Sequence, residues 1–177
     1  MSAPVRRTGG RSAAVLSSIR FAVEELVRER GAEKVTIPLV AERAGVNPTS
    51  VYRRWGDAAT MLNDIATYRL DPTRELPRTG DLRADLIAWC REIVEHYRKP
   101  INAALLRGGS ASAGEQETEC LRNRRAEGLA IAGEAGALDA DDIIDGLVGP
   151  IVYRAIFLPW TLDEDLPVRL VDKVLAA

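Results

Sequence analysis

Apolar residues recur at helical spacing through most of the chain, and no segment sustains the strict alternation of a half-buried strand. Between Ser12 and Arg30, the residues Val15, Ile19, Ala22, Val23, Leu26 and Val27 share one face, and Gly31 follows as a C-cap, so the spacing predicts a helix. A second, short helix is expected from Thr36 as N-cap through Ala44. Pro38 is tolerated there because the first turn has no acceptor for its missing N–H. Gly45 ends that helix. Asn47 as N-cap and Pro48 in the first helical position start a third, which runs to Trp55 and stops at Gly56. Asp57 caps a fourth, whose Met61, Leu62 and Ile65 lead toward Leu70 before Asp71-Pro72 and the stretch 77–80 break the chain. The break divides an expected head, residues 1–70, from a body, residues 71–177.

In the body, Leu82, Leu86, Trp89, Cys90, Ile93 and Tyr97 form the clearest stripe, ended by Pro100. Residues 107–114, rich in Gly, Ser and Ala, read as a loop, and a polar helix is expected over 115–132. After a second break, Ile143, Ile144, Leu147, Val148, Ile151, Val152, Ile156 and Phe157 cover most of a helix's circumference, with a bend expected at Pro150. The acidic residues Asp139, Asp141 and Asp142 read as the start of this helix, where carboxylates meet the positive end of the dipole. A last helix, capped by Asp165, carries Leu166, Leu170, Val171, Val174 and Leu175. The predicted fold is all-α, without internal repeats.

Charge sharpens the division. The net charge is -2, but residues 1–55 carry ten Lys/Arg against five Asp/Glu, and the remainder fourteen against twenty-one. A basic head on an acidic body points to a polyanion met at one end only. Cys90 and Cys120 stand apart from any Cys-x-x-Cys or Cys/His cluster, so no metal site is expected, and both thiols are read as reduced. No leader-like apolar core and no run of about 18 apolar residues appears, which points to a cytoplasmic protein without a membrane partner. Catalysis finds no support: there is no phosphate loop and no Gly-x-Ser-x-Gly, and a single histidine, His96, cannot build a two-histidine site. No cofactor is expected.

The two short helices flanking Gly45 have the spacing of a helix-turn-helix. Ala41 is small enough for close approach, Gly45 can take the positive φ of the sharp turn, and Val51 anchors the following helix on the core. The helix from Pro48 to Trp55 would then be the recognition helix. Its Thr49, Ser50, Tyr52, Arg53 and Arg54 offer hydroxyls and guanidiniums to base edges and phosphates, and nothing acidic lies between Arg43 and Gly56.

The segment TIPLVAERAGVNPTSVYRRWGDAATML resembles the DNA-binding domain of the TetR family of bacterial regulators, through Thr36, Val40-Ala41, Ala44-Gly45-Val46 and Val51 to Trp55. The specific motif covers about residues 12–65. The resemblance implies phosphate contacts from Thr36, Thr49 and Tyr52, with Ser50 and Arg53 nearest the bases. Two positions depart from the family pattern: Arg54 replaces a more frequent aromatic residue, and Ala58 stands where a phosphate-binding Lys is usual. The basic arm, Arg6, Arg7 and Arg11, preceding the first helix with Gly9-Gly10 to keep it flexible, either reaches phosphate or a minor groove or is a solvated tail.

A reader of two half-sites needs two copies, so a homodimer on a palindromic double-stranded operator is expected. The last two helices are the candidates for its interface, through Ile144, Leu147, Val148, Ile151, Leu170 and Val174, with Gly146 and Gly149 admitting a partner helix; the alternative is a central core helix of a monomer. The resemblance implies a four-helix bundle between subunits. It also implies a body domain that binds a small-molecule effector and a repressor released from DNA by it. Trp89, Tyr97, Leu105, Cys120, Phe157 and Trp160 are the candidate lining, although aromatic residues on a helical stripe also serve as plain core. The rival reading is a helical partner-binding or ligand-binding module without a DNA role.

Overall fold

The computed structural model describes residues 9–69, 74–110, 119–133 and 138–176, and among them every regular element is a helix. The first four are α1 (Gly9–Arg30), α2 (Ile37–Ala44), α3 (Pro48–Trp55) and α4 (Ala58–Arg69). Their inward residues make one core, with Val23 and Leu26 from α1, Val40 and Ala41 from α2, Val51 and Trp55 from α3, and Met61 and Ile65 from α4. Gly9 and Gly10 open α1 rather than loosening an arm before it. Arg6 and Arg7 lie outside the described residues.

The body contains α5 (Leu82–Arg98), α6 (Pro100–Gly109), α7 (Glu119–Ala132), α8 (Ala140–Ile143), α9 (Gly149–Phe157) and α10 (Leu166–Leu175). A second core gathers Leu86, Trp89, Ile93, Ile143, Leu147, Ile151, Leu166 and Val171. Asp81 caps α5 by accepting from the N–H of Ala84, and the predicted acidic start of α8 is a capping box in which Asp139 and Asp142 each accept a backbone N–H at the other's end of the turn. Arg83 and Asp172 pair through two hydrogen bonds of 2.7 and 2.9 Å, tying α5 to α10. No helix among the described residues is long and apolar enough to cross a membrane.

Four local expectations change. Pro100, expected only to end α5, also opens α6, because a proline in the first turn forfeits no intrahelical bond. The expected loop over 107–114 is therefore helical through Gly109. Leu105 is fully buried in the head core, and α6 packs more extensively on α4 than on α5. The two glycines permit this: a Cβ on Gly109 would lie 2.7–2.8 Å from the backbone N, Cα and Cβ of Asn63, and one on Gly108 would lie 2.8 Å from Ala32 Cβ and Leu62 Cδ1. Thr36 and Asp165 occupy N-cap positions without a capping side-chain bond; Asp163 instead accepts from the N–H of Asp165 and from Arg169.

Where a bend was expected at Pro150, residues 144–148 form a π-helical turn, in which the N–H of Gly149 reaches back five residues to the carbonyl of Ile144. The wider turn sits directly before the residue that has no N–H to give. His96 is buried at the α5–α6 junction, where Asn102 Nδ2 donates to its carbonyl at 2.7 Å and lies 3.2 Å from Nδ1.

Candidate nucleic-acid interface

The turn between α2 and α3 is built as its sequence requires. Gly45 adopts φ 66° and ψ 34°, left-handed geometry that a side chain resists, while its N–H and that of Val46 close the end of α2 on Glu42 and Ala41. Asn47 Oδ1 then accepts from the N–H of Thr49 at 2.8 Å and starts α3. Val51 and Trp55, four residues apart, face the core and fix the roll of the helix. Thr49, Ser50, Tyr52, Arg53 and Arg54 are all exposed as a consequence, Tyr52 to 47%.

Trp55 does more than fill the core. Its indole N–H donates to Asp64 Oδ2 at 2.7 Å, locking α3 to α4, and the Arg54 guanidinium lies 5.1 Å from the ring centroid. Sequence reasoning did not connect Asp64 to this site, since no local pattern links a tryptophan to a carboxylate on the next helix. Thr36 is exposed at the start of α2 with its hydroxyl unused by capping, and Ala58 begins α4 half-buried. Arg11 falls within α1, but its side chain is outside what is described.

Arg43 is held differently. Its two terminal nitrogens pair with both oxygens of Glu29 at 2.8 Å, and Nη1 also meets Glu25 at 3.4 Å. The hydrogen bonds to Glu29 raise the guanidinium's pKa, and those from Arg43 lower that of Glu29. This pairing clamps α2 to α1 and draws two α1 carboxylates away from the recognition helix.

The five candidate pocket residues whose side chains are described do not come together. Trp89 and Tyr97 are buried in the body core, Leu105 is in the head core, and Phe157 and Trp160 are 60% and 77% exposed; the Cys120 side chain is outside the described residues. Burial pushes the Cys90 thiol up to about 12. Of the candidate interface residues, Leu147, Val148, Ile151 and Leu170 are buried within a single copy, and Ile144 and Val174 are half-buried against the same core. Gly146 makes room for this chain's own α10 rather than for a partner helix, because a Cβ there would collide with Val174. Among the described residues of the body, the apolar side chains left most exposed are Tyr153 and Phe157, whose rings lie 5.1 Å apart, and Trp160 beyond them, ahead of Leu129 and Leu175; Phe21 is the exposed phenyl ring of the head.

Comparison with known proteins gives two family matches: bacterial regulatory proteins of the tetR family over residues 22–65, and the tetracyclin repressor-like C-terminal domain over residues 76–174. The chain is 33% identical over 96 residues to the HTH-type transcriptional regulator AqdR of Rhodococcus erythropolis, an alignment covering 54% of this chain and 46% of that one. It thus spans about half the length of that regulator. The fold superposes on a TetR transcriptional regulator from Rhodococcus sp. RHA1 with a TM-score of 0.68 at 16% identity, covering 94% of this chain and 97% of the other. It also superposes on NalD, the secondary repressor of the MexAB-OprM multidrug efflux pump in Pseudomonas aeruginosa, with a TM-score of 0.59 at 17% identity over 94% and 96% of the two chains.

Proposed function

The chain belongs to the tetR family of bacterial regulatory proteins, and from that premise we propose that it is a DNA-binding transcriptional regulator, a cytoplasmic repressor released from its operator by a small-molecule effector. The observation that carries the reading is the outward face of α3. Val51 and Trp55 turn every hydroxyl and guanidinium of this short helix to solvent, with no carboxylate between Arg43 and Gly56 to oppose a phosphate backbone. Tyr52, Thr49 and Thr36 meet phosphates in this reading, Ser50 and Arg53 face base edges, and Arg54 lies against Trp55 where a strand passes. Residues 1–70 form the DNA-binding head and residues 71–177 the ligand-binding and dimerisation body, with α6 seated on α4 as the link between them.

The homodimer is formed across the face that one copy leaves apolar, Tyr153, Phe157 and Trp160, with half-buried Val152 and Ile156 beside them. Two heads related by a two-fold axis read a palindromic site.

Selection of bound duplexes from a random library, followed by a salt titration on the enriched site, tests the reading. Recovery of an inverted repeat is expected. If Arg54 from each head neutralises one phosphate, log K falls against log salt with a slope of about -2 or steeper. Failure to enrich any duplex would favour a ligand-binding or partner-binding module without a DNA role.

A further inference from the structure

Inside the body two guanidiniums share one buried carboxylate. Glu127, on the inward face of α7, accepts from Arg74 through both oxygens at 2.9 and 3.1 Å and from the indole N–H of Trp89 at 2.9 Å. Arg74 turns its Nε to Glu92, whose side chain is 38% exposed. Arg124, one turn before Glu127, is 3% exposed; its Nη1 lies 2.9 Å from Glu127 Oε2, in ion-pair contact but without the alignment of a hydrogen bond. Both Nε and Nη1 of Arg124 are buried with no hydrogen-bond acceptor. Guanidinium nitrogens that have lost their water without gaining an aligned acceptor are an exception among buried charged groups, because the ion pair with Glu127 offsets the charge but each missing hydrogen bond leaves desolvation uncompensated. Glu127 already accepts three hydrogen bonds from Arg74 and Trp89, and its Oε2 is not aligned to accept one from Arg124.

We propose that Arg124 is the anchor of an anion site in the body, and that its ligand is a small carboxylate on an apolar frame. A guanidinium is matched in geometry and charge to a carboxylate. Arg74 and Arg124 are balanced by Glu127 and Glu92, so a ligand brings its charge to a neutral cluster, and a monoanion sets less negative charge beside Glu127 than a dianionic phosphate would. The surroundings are apolar: Gly128 on the same face is so closely packed that a Cβ would strike Ile143 and touch Trp89, both fully buried. Trp89 thus returns as part of the site, through its bond to Glu127. The α7 helix packs on α4 as well as on α5, so occupancy at Arg124 bears on the helix that leads out of the DNA-reading head. Only that last step rests on the effector-released reading above.

The test is thermal denaturation of the full chain with octanoate and with benzoate, each against its neutral counterpart, 1-octanol or benzyl alcohol, in wild type, Arg124→Met and Arg124→Lys. An aliphatic and an aromatic acid separate the two frames that share the carboxylate. In wild type, at a hundredfold excess over Kd, at least one acid is expected to raise Tm by about 5 °C or more, and its alcohol to bind at least tenfold more weakly. Arg124→Met should lose the acid's effect, and Arg124→Lys, which keeps the charge without the planar fork, should retain a weakened one. Equal responses to acid and alcohol, an acid response that survives Arg124→Met, or no response to either acid would overturn the site. Binding to the selected duplex separates the two readings: release by the alcohols as well as the acids would keep effector release and overturn the anion site. An Arg124-dependent acid response that leaves DNA affinity unchanged would support the anion site and reject effector release.

Discussion

The indole N–H of Trp55 donates to Asp64 at 2.7 Å, so the last residue of the recognition helix is fastened to the middle of the helix behind it. Because Trp55 is 6% exposed, its N–H has little water to turn to once the carboxylate is removed. Asp64→Ala is therefore expected to cost about 1–3 kcal/mol of stability, measured by urea denaturation. Trp55→Phe should cost a comparable amount, and the double variant no more than slightly beyond either single one, since both delete the same bond. Additive losses would mean that the two residues act independently.

The arginines of the head divide by what already holds them. Arg53 is exposed on α3, whereas Arg43 is bound by Glu29 and Glu25. On the selected operator, Arg53→Ala is expected to lose about 1–3 kcal/mol of discrimination at the base pair it reads. Arg43→Ala should leave discrimination intact, and Tyr52→Ala should weaken specific and random duplexes alike. Equal losses on both kinds of DNA for Arg53→Ala would remove it from the bases.

The head was legible because its signals are local. Asn47, Pro48, Gly45 and Gly56 each act within a turn of themselves, so their sequence order fixes where α2 ends and where α3 begins and ends. What sequence could not show depends on a neighbour far along the chain. Gly108-Gly109 looks like a loop until Asn63 is seen beneath it, and the polar pattern of α7 conceals that Arg124 and Glu127 point inward. An almost wholly apolar helix hides its own orientation as well. Nothing in the run from Ile143 to Phe157 says that Val148 faces this copy's core while Tyr153 and Phe157 face out, because hydrophobicity on every side leaves no stripe to read.

Acid should weaken the start of α5. The N–H of Thr79 donates to the Asp85 carboxylate at 2.9 Å, and, despite the opposing effect of burial, the Thr79 hydroxyl and the N–H of Gly80 help to hold its pKa below the ordinary 3.8. A depressed pKa means stability that is complete above the unfolded value and lost as pH falls through the folded one. Asp85→Asn is thus expected to lower Tm at pH 7, with the difference from wild type shrinking as pH falls below about 4. A difference independent of pH would assign the effect to packing rather than to charge.

Gly109 sets how closely α6 approaches α4. A methyl group there meets the Asn63 backbone, which cannot rotate away as a side-chain tip could, so the helices must separate. Gly109→Ala is expected to destabilise the chain by about 1–3 kcal/mol despite its better helix propensity, read by thermal denaturation. Ser110→Ala, one residue on and exposed, is the control and should change stability little. A stabilised Gly109→Ala would show that propensity wins and that the crossing is loose.

The dimer face separates two substitutions on one rod. Val148 is 2% exposed within a single copy, so Val148→Asp places a charge in the body core, and loss of folding is expected rather than a folded monomer. Phe157 is 60% exposed with its ring against Tyr153, so Phe157→Asp has water to face and should fold with a far-UV spectrum like that of wild type. If two copies meet there, sedimentation equilibrium should show Phe157→Asp shifted to monomer at concentrations where wild type is dimeric. Binding to the inverted repeat should then fall at least tenfold, because one head must hold without the second tethered beside it. A Phe157→Asp protein that remains dimeric would move the interface to another face. A monomer with undiminished operator affinity would keep the interface but separate it from DNA reading.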